Sequence, residues 1–209
     1  MLKDMIELWL QWVRRLEAIA QTGLFYAADP YDRERYEQLR AIAAEMVAHH
    51  AGAPFEQVLK LLSADDGYAT PKVDVRGVVF HDDKLLYVRE REDGQWTLPG
   101  GWADVGQSPA ESVVREVREE SGYEVKALKL LAFYDRDKHP HPPILHHSFK
   151  VFFRCELLGG SPQTSYETTE IGFFGEHEIP DLSLPRVLPE QIRHMFQHYR
   201  NPAWPATFE

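Results

Sequence analysis

The sequence predicts a mixed α/β sandwich preceded by a small all-helical domain. Three observations lead there. Apolar residues recur at helical spacing over the first 62 residues. A polar, turn-rich stretch, SADDGYATP at 63–71, then breaks the pattern. Beyond it, short strand-like runs flank one strongly capped helix, and a second helix lies near the end. Strands and helices do not alternate regularly there, which favours a mixed sheet over a doubly wound parallel one. The division falls at 1–65 for the helical domain and 66–209 for the α/β domain.

In the helical part, Leu2, Met5, Ile6, Trp9, Trp12, Val13, Leu16 and Ile19 form one stripe, with Gly23 as its expected stop. Asp32 is the expected cap of a second helix carrying Tyr36, Leu39, Ile42, Ala43, Met46 and Val47. Pro54 opens a third, with Phe55, Val58, Leu59 and Leu62 at i, i+3, i+4 and i+7. After the linker, 72–80 and 84–90 read as strands joined by a turn at Asp82-Asp83, and 95–98 as a short third. Segments 125–135, 144–157 and 170–174 read as further strands. Ile192, Met195, Phe196 and Tyr199 mark the last helix.

Composition narrows the function classes. The net charge is −10, the wrong sign for a duplex-binding domain, and argues against nucleic acid as the main partner. Cys155 is alone, so no intramolecular disulfide forms. The apolar N-terminus is interrupted by Asp4 and Glu7, unlike a signal peptide or a membrane span. A soluble cytoplasmic protein is the expectation, with no membrane partner.

The informative stretch is GGWADVGQSPAESVVREVREESGYEV, 100–125. Ser108, Pro109 and Glu111 fit N-cap, N1 and capping-box positions, and Gly122 fits the C-terminal stop. Ala110, Val113, Val114 and Val117 make an apolar stripe, while Glu116, Glu119 and Glu120 cluster on one flank. Like charges one turn apart destabilise a helix. A hard divalent cation removes that repulsion, and clustered carboxylates suit Mg²⁺, with Mn²⁺ the alternative ion. The preceding Leu98-Pro99-Gly100-Gly101 lets the chain turn tightly and lie against the acids.

These residues resemble the Nudix box, a loop–helix–loop signature of spacing Gly-x5-Glu-x7-Arg-Glu-hydrophobic-x-Glu-Glu-x-Gly-hydrophobic. Gly101, Arg115, Glu116, Val117, Glu119, Glu120, Gly122 and Tyr123 match. Gln107 stands where the pattern has its first glutamate, which bears on how Arg115 is anchored; Glu111 is one replacement partner. The resemblance implies a Nudix α/β/α sandwich. It also implies hydrolysis of a nucleoside diphosphate linked to a moiety X. Glu116, Glu119, Glu120 and the Gly101 carbonyl would hold the metal, and Arg115 would orient the glutamates. Glu120 is the first candidate for general base, and Glu167 and Glu170 are candidates from a later loop.

The helical N-terminal domain, the run YDRDKHPHPP and the segment from 164 to 184 resemble the CDP-choline pyrophosphatase branch of that family. That likeness implies a homodimer in which the N-terminal helices build the assembly and border the nucleotide site. The expected reaction is CDP-choline to CMP and phosphocholine. ADP-ribose pyrophosphatase, RNA 3′-end nuclease and a non-hydrolytic nucleotide sensor are the competing readings. Among other residues, Arg76 is a candidate for substrate phosphate, with Asp74 as its ordinary partner. His139 and His141, from the group with His146 and His147, are candidates for substrate contact; the proline-rich surroundings disfavour a structural zinc. Trp9, Trp12, Phe25, Tyr26, Tyr31 and Tyr36 read first as packing or interface aromatics, with stacking of one of them on a nucleobase as the alternative.

Overall fold

The computed structural model describes residues 2–209, with side chains from Leu8 onward. Leu2, Met5 and Ile6 therefore fall outside the described side chains. The chain divides into two compact units, 1–71 with 143–147, and 72–142 with 148–209.

The first unit holds α1 (Leu2–Tyr26), α2 (Pro30–Ala51) and α3 (Phe55–Leu62). Its core gathers Val13, Ala43, Ala44, Val58 and Leu62, with Trp9, Leu16, Val47 and Leu59 packed around them. Trp12 and Ile19, read as part of the same stripe, are exposed. Gly23 does not end α1. A Cβ there would come within 2.3 Å of the Tyr36 ring, so glycine serves close helix approach instead. The cap of α2 is Asp29, not Asp32. Its carboxylate accepts the amides of Tyr31 and Asp32, and Pro30 takes the first helical position. Segment 144–147, read as the start of a strand, belongs to this unit. Arg14 donates to the Leu145 carbonyl at 3.0 Å and to that of Ile144, and Leu145 packs on the helical core.

The second unit is built on β1 (Lys72–His81), β2 (Lys84–Glu90), β3 (Trp96–Thr97), β4 (Tyr123–Asp135), β5 (Ser148–Gly160), β6 (Thr168–Phe174) and β7 (Thr207–Phe208). Two helices accompany them, α4 (Pro109–Ser121) and α5 (Pro189–Arg200). The strand order is β3-β2-β1-β5-β4-β7, with β6 also on β2. β1 pairs parallel with β5 and antiparallel with β2, so the sheet is mixed. Asp82 and Asp83 both have positive φ (47° and 59°), which a tight two-residue hairpin requires.

Period-two alternation along β1 feeds two cores. Val75 and Val79 meet Val113 and Val117 of α4, whereas Val78 and Phe80 meet Ile192, Met195 and Phe196 of α5. The sheet is thus sandwiched between the two helices. β2 carries β6 along one edge; on the other it pairs with β1 only at residues 84–85 and with β3 at 88–89. The early half of β1 is left without β2, and the glycine loop takes that place. Val75 donates to the Gly101 carbonyl, Gly77 to Pro99, and Ala103 to Val73, each at 2.8 Å.

Candidate active site

That backbone pairing fixes one wall of the site. Gly100 has φ of +144°, and a Cβ on it would stand 2.0 Å from the Val75 carbonyl oxygen, so only glycine fits. Its amide donates to Oε2 of Glu120 at 2.9 Å. A Cβ on Gly101 would meet Oε1 of Glu116 at 3.3 Å, so the Glu116 carboxylate lies directly against this glycine.

α4 supplies the other wall. Its N-terminus carries the full capping box. Glu111 accepts the Ser108 amide at 2.8 Å, and the Ser108 hydroxyl accepts the Glu111 amide at 3.2 Å. Gly122 closes the helix with φ of 75°. Val113 and Val117 are buried against the sheet, which turns Glu116, Glu119 and Glu120 toward a cavity of about 540 Å³. Gly100, Gly101, Trp102, Tyr166, Glu167 and Arg186 border it too.

Six carboxylates line this cavity, those of Glu90, Asp104, Glu116, Glu119, Glu120 and Glu167, against three guanidiniums, Arg76, Arg115 and Arg186. A bare diphosphate would be repelled from such a surface, and a divalent cation would be drawn to it. The donors are oxygen only, as Mg²⁺ or Mn²⁺ requires. The Gly101 carbonyl accepts the Val75 amide at 2.8 Å and keeps a second lone pair. In donor type the residues present therefore fit a hard divalent ion, and Arg115 occupies Glu116 and Glu119 in its place here.

Glu120 is 4% exposed. Burial pushes its carboxyl up to about 8, although Arg76 and the Gly100 amide pull the other way. Burial likewise raises Glu116, against the opposing charge of Arg115. Arg115 bridges the cluster: Nη2 to Glu116 at 2.9 Å and Asp104 at 2.8 Å, Nη1 to Glu119 at 2.7 Å, and Nε to the Gln107 side-chain carbonyl at 3.1 Å. Glu111 is engaged in the capping box, so Gln107 itself is the anchor.

The structure brings Gly101, Arg115, Glu116, Glu119, Glu120 and Glu167 together around one space. Of the remaining candidates only Arg76 borders that space. Glu170 lies on β6, paired with Arg89, and does not line the cavity. Arg76 borders the cavity, but its guanidinium is held by Asp74 at 2.7 and 3.2 Å and by the Leu98 carbonyl at 3.1 Å. Its ordinary partner holds it. His139 pairs with Glu209 and packs on Tyr134. His141 is interior, bonded to the Leu184 carbonyl at 2.7 Å and to Gln191 at 3.1 Å. Neither histidine reaches the acidic cavity.

Glu90, Arg186 and Trp102 are cavity residues that sequence reasoning missed. Arg186 Nε pairs with Glu90 at 3.1 Å, and its Nη atoms pair with Glu92 and Asp93. The residues of this group lie nearly a hundred positions apart, beyond any local signal. Trp102, directly after Gly101, could have been found there. A larger cavity of about 690 Å³ lies within the helical unit, between the end of α1 and the start of α2. It holds two carboxylates, Asp29 on the helix cap and Asp32 on Arg35, and lacks the cluster of acids that lines the smaller cavity.

Residues 70–199 match the NUDIX domain family. The chain belongs to the Nudix family. Residues 7–62 match a second family described as a UDP-X-like, N-terminal oligomerisation domain. A putative ADP-ribose pyrophosphatase, YjhB of Bacillus subtilis, is 44% identical over 96% of this chain and 97% of its own length. Among solved structures, a UDP-X diphosphatase is 35% identical, covering 96% of this chain and 98% of its own, with a TM-score of 0.64. An ADP-ribose pyrophosphatase from Streptococcus suis is 42% identical, covering 67% of this chain and all of its own, with a TM-score of 0.61. This Nudix chain is accordingly a hydrolase of nucleoside diphosphate-linked moieties. No helix among the described residues is long and apolar enough to cross a membrane.

Proposed function

We propose that this Nudix protein is a Mg²⁺- or Mn²⁺-dependent diphosphatase that splits the P–O–P link of a nucleoside diphosphate conjugate. One observation carries the reading: three carboxylates from a single capped helix line, with the glycine loop, one cavity with an excess of negative charge. The names of its relatives favour ADP-ribose first, giving AMP and ribose 5-phosphate, and UDP-linked compounds next. CDP-choline rests on the sequence resemblance and belongs in the same panel.

A divalent cation held by Glu116, Glu119, Glu120 and the Gly101 carbonyl would draw charge off the diphosphate and acidify a water beside it. The remaining work belongs to the chain. Glu120 is the proposed general base: the Gly100 amide fixes its Oε2, and a bound cation would keep the carboxylate ionised at neutral pH. Glu167 borders the same space from the loop before β6 and is the second candidate. Arg115 holds Glu116 and Glu119 apart and aimed, without touching substrate. Exposed Trp12 and Ile19 on α1, within the region matching an oligomerisation domain, support assembly as a homodimer.

The test is a hydrolysis panel of ADP-ribose, UDP-glucose, CDP-choline and short RNA, with Mg²⁺ or Mn²⁺ and with chelator, products separated by chromatography. Metal-dependent release of a nucleoside monophosphate supports the proposal. Tight nucleotide binding without turnover of any conjugate favours a sensor and removes it.

A further inference from the structure

Two large aromatic side chains border the acidic cavity, and the proposed diphosphatase reaction, on which this inference rests, leaves them unused. Trp102 is 47% exposed and Tyr166 is 91% exposed. The ring contacts of this unit join Phe80, Tyr87, Trp96, Tyr123, Tyr134 and their neighbours. Trp102 and Tyr166 take part in none of those described pairs.

Their backbones, by contrast, are pinned. Trp102 sits between the Gly101 carbonyl, which accepts Val75, and the Ala103 amide, which donates to Val73. It also forms an isolated bridge to Asp74. The loop carrying Tyr166 is clamped by Arg91, whose Nε donates to the Tyr166 carbonyl at 2.8 Å and whose amide donates to that of Glu167 at 2.7 Å. Next to it, the Thr168 hydroxyl donates to the Glu120 carbonyl at 2.8 Å. A ring on a loose loop can tuck against apolar surface. Here the chain beneath the rings is held by hydrogen bonds, and both rings remain exposed.

A rigidly mounted, solvent-facing ring beside a charged cavity recognises a flat partner by stacking. A second copy of the chain is a poor occupant, since an acidic protein would have to approach six carboxylates. We infer that Trp102 and Tyr166 hold the planar base of the nucleoside half of the substrate while the carboxylate wall attends to the diphosphate. The specificity contact therefore lies within the catalytic unit, on the two loops that also carry Gly101 and Glu167.

The experiment compares Trp102→Ala and Tyr166→Ala with Trp102→Phe and Tyr166→Phe on two substrates. One is ADP-ribose; the other is a base-free diphosphate ester, 5-phosphoribosyl 1-diphosphate. Stacking predicts that KM for ADP-ribose rises about tenfold or more in each alanine variant while kcat stays within about threefold, and that phenylalanine restores it. The base-free ester should show no comparable rise in KM. Equal losses on both substrates, or no loss on either, overturn the inference. A changed elution volume of the alanine variants overturns it too, by assigning the rings to a contact between copies. If the wild-type protein cuts neither substrate, the diphosphatase reading has failed separately, and calorimetric titration with AMP decides this one. Binding at least tenfold tighter in wild type than in Trp102→Ala upholds it, and equal or absent binding sinks it.

Discussion

The side-chain carbonyl of Gln107 accepts Nε of Arg115 at 3.1 Å, in the position where the Nudix signature places a glutamate. The amide keeps the hydrogen bond and gives up the charge. Arg115 does not need that charge, because Asp104, Glu116 and Glu119 already surround its guanidinium. Gln107→Glu should therefore change kcat by less than about threefold. Gln107→Ala removes the anchor and should cost about 0.5–1.5 kcal/mol of stability, with a larger loss of activity. Steady-state kinetics and urea titration of both variants check this. A gain of a hundredfold or more in Gln107→Glu would mean that the natural site has lost its turnover.

Glu120 separates activity from stability. Its folded carboxyl is raised to about 8 by burial, while an unfolded glutamate titrates near 4.3. Between those values the folded chain holds the proton and the unfolded chain does not, so without metal this group favours folding at pH 5 and progressively less toward pH 8. Glu120→Gln removes the titration and keeps an oxygen for the Gly100 amide. In chelator at pH 8 the variant should melt no lower than wild type, while its turnover with Mg²⁺ falls by about 10²-fold or more. Scanning calorimetry beside a product assay reads both. Turnover within tenfold of wild type would remove Glu120 from the chemistry.

How much of this was legible in the sequence depends on how local the cause is. The capping box of α4 was, because Ser108, Pro109 and Glu111 act within one turn. The bounds of β2 were, since its short apolar run and the Asp82-Asp83 turn delimit it on the spot. Segment 144–147 was misread because an apolar pair after prolines looks the same whether it continues a strand or docks on helices. Strand β7 was missed: two residues joined only to Ala132 and Phe133 carry no period of their own. At the site, the acids on α4 followed from helix geometry. The commitment of Arg76 to Asp74 and the seating of Glu90 by Arg186 follow only once β1, β2 and the segment before α5 are folded together.

Gly100 is the next test, because conformation and space both exclude a side chain there. Its φ of +144° is strained for any L-residue, and the built Cβ would overlap Val75 backbone at 2.0 Å. Gly100→Ala must push the loop off β1, breaking the Gly101–Val75 pairing and the amide bond to Glu120 together. The expected loss is more than about 2 kcal/mol of stability, and activity should fall below a tenth of wild type even where the protein remains folded. Gly94→Ala is the control: φ is also positive, at +69°, but nothing lies within 4 Å. It should cost only about 1–2 kcal/mol and leave kcat within about twofold. Equal damage from the two substitutions would show that backbone strain alone, and not the seating of the loop, is what matters.

His141 predicts the acid limit of stability. It is 7% exposed, and burial pushes its imidazole down to about 3, with Lys150, Arg136 and His139 adding repulsion in the same direction. The bonding pattern agrees with a neutral ring, Nδ1–H donating to the Leu184 carbonyl and Nε2 accepting from Gln191. An unfolded histidine titrates near 6.5, so between pH 6.5 and 3 the unfolded chain takes up a proton that the folded chain refuses. The stability from this group is complete at pH 7 and drains away as the pH falls through 6. Moving from pH 6.5 to 5 should cost up to about 2 kcal/mol on its account. His141→Asn keeps the donor to Leu184 but leaves the Gln191 amide without its acceptor, a cost of about 1 kcal/mol that does not vary with pH. Urea titrations at pH 7 and pH 5 should therefore find the variant weaker than wild type at pH 7 and its further loss on acidification smaller by about 1–2 kcal/mol. Parallel losses in the two proteins would place the acid sensitivity elsewhere, with buried His198 on α5 the next histidine to replace.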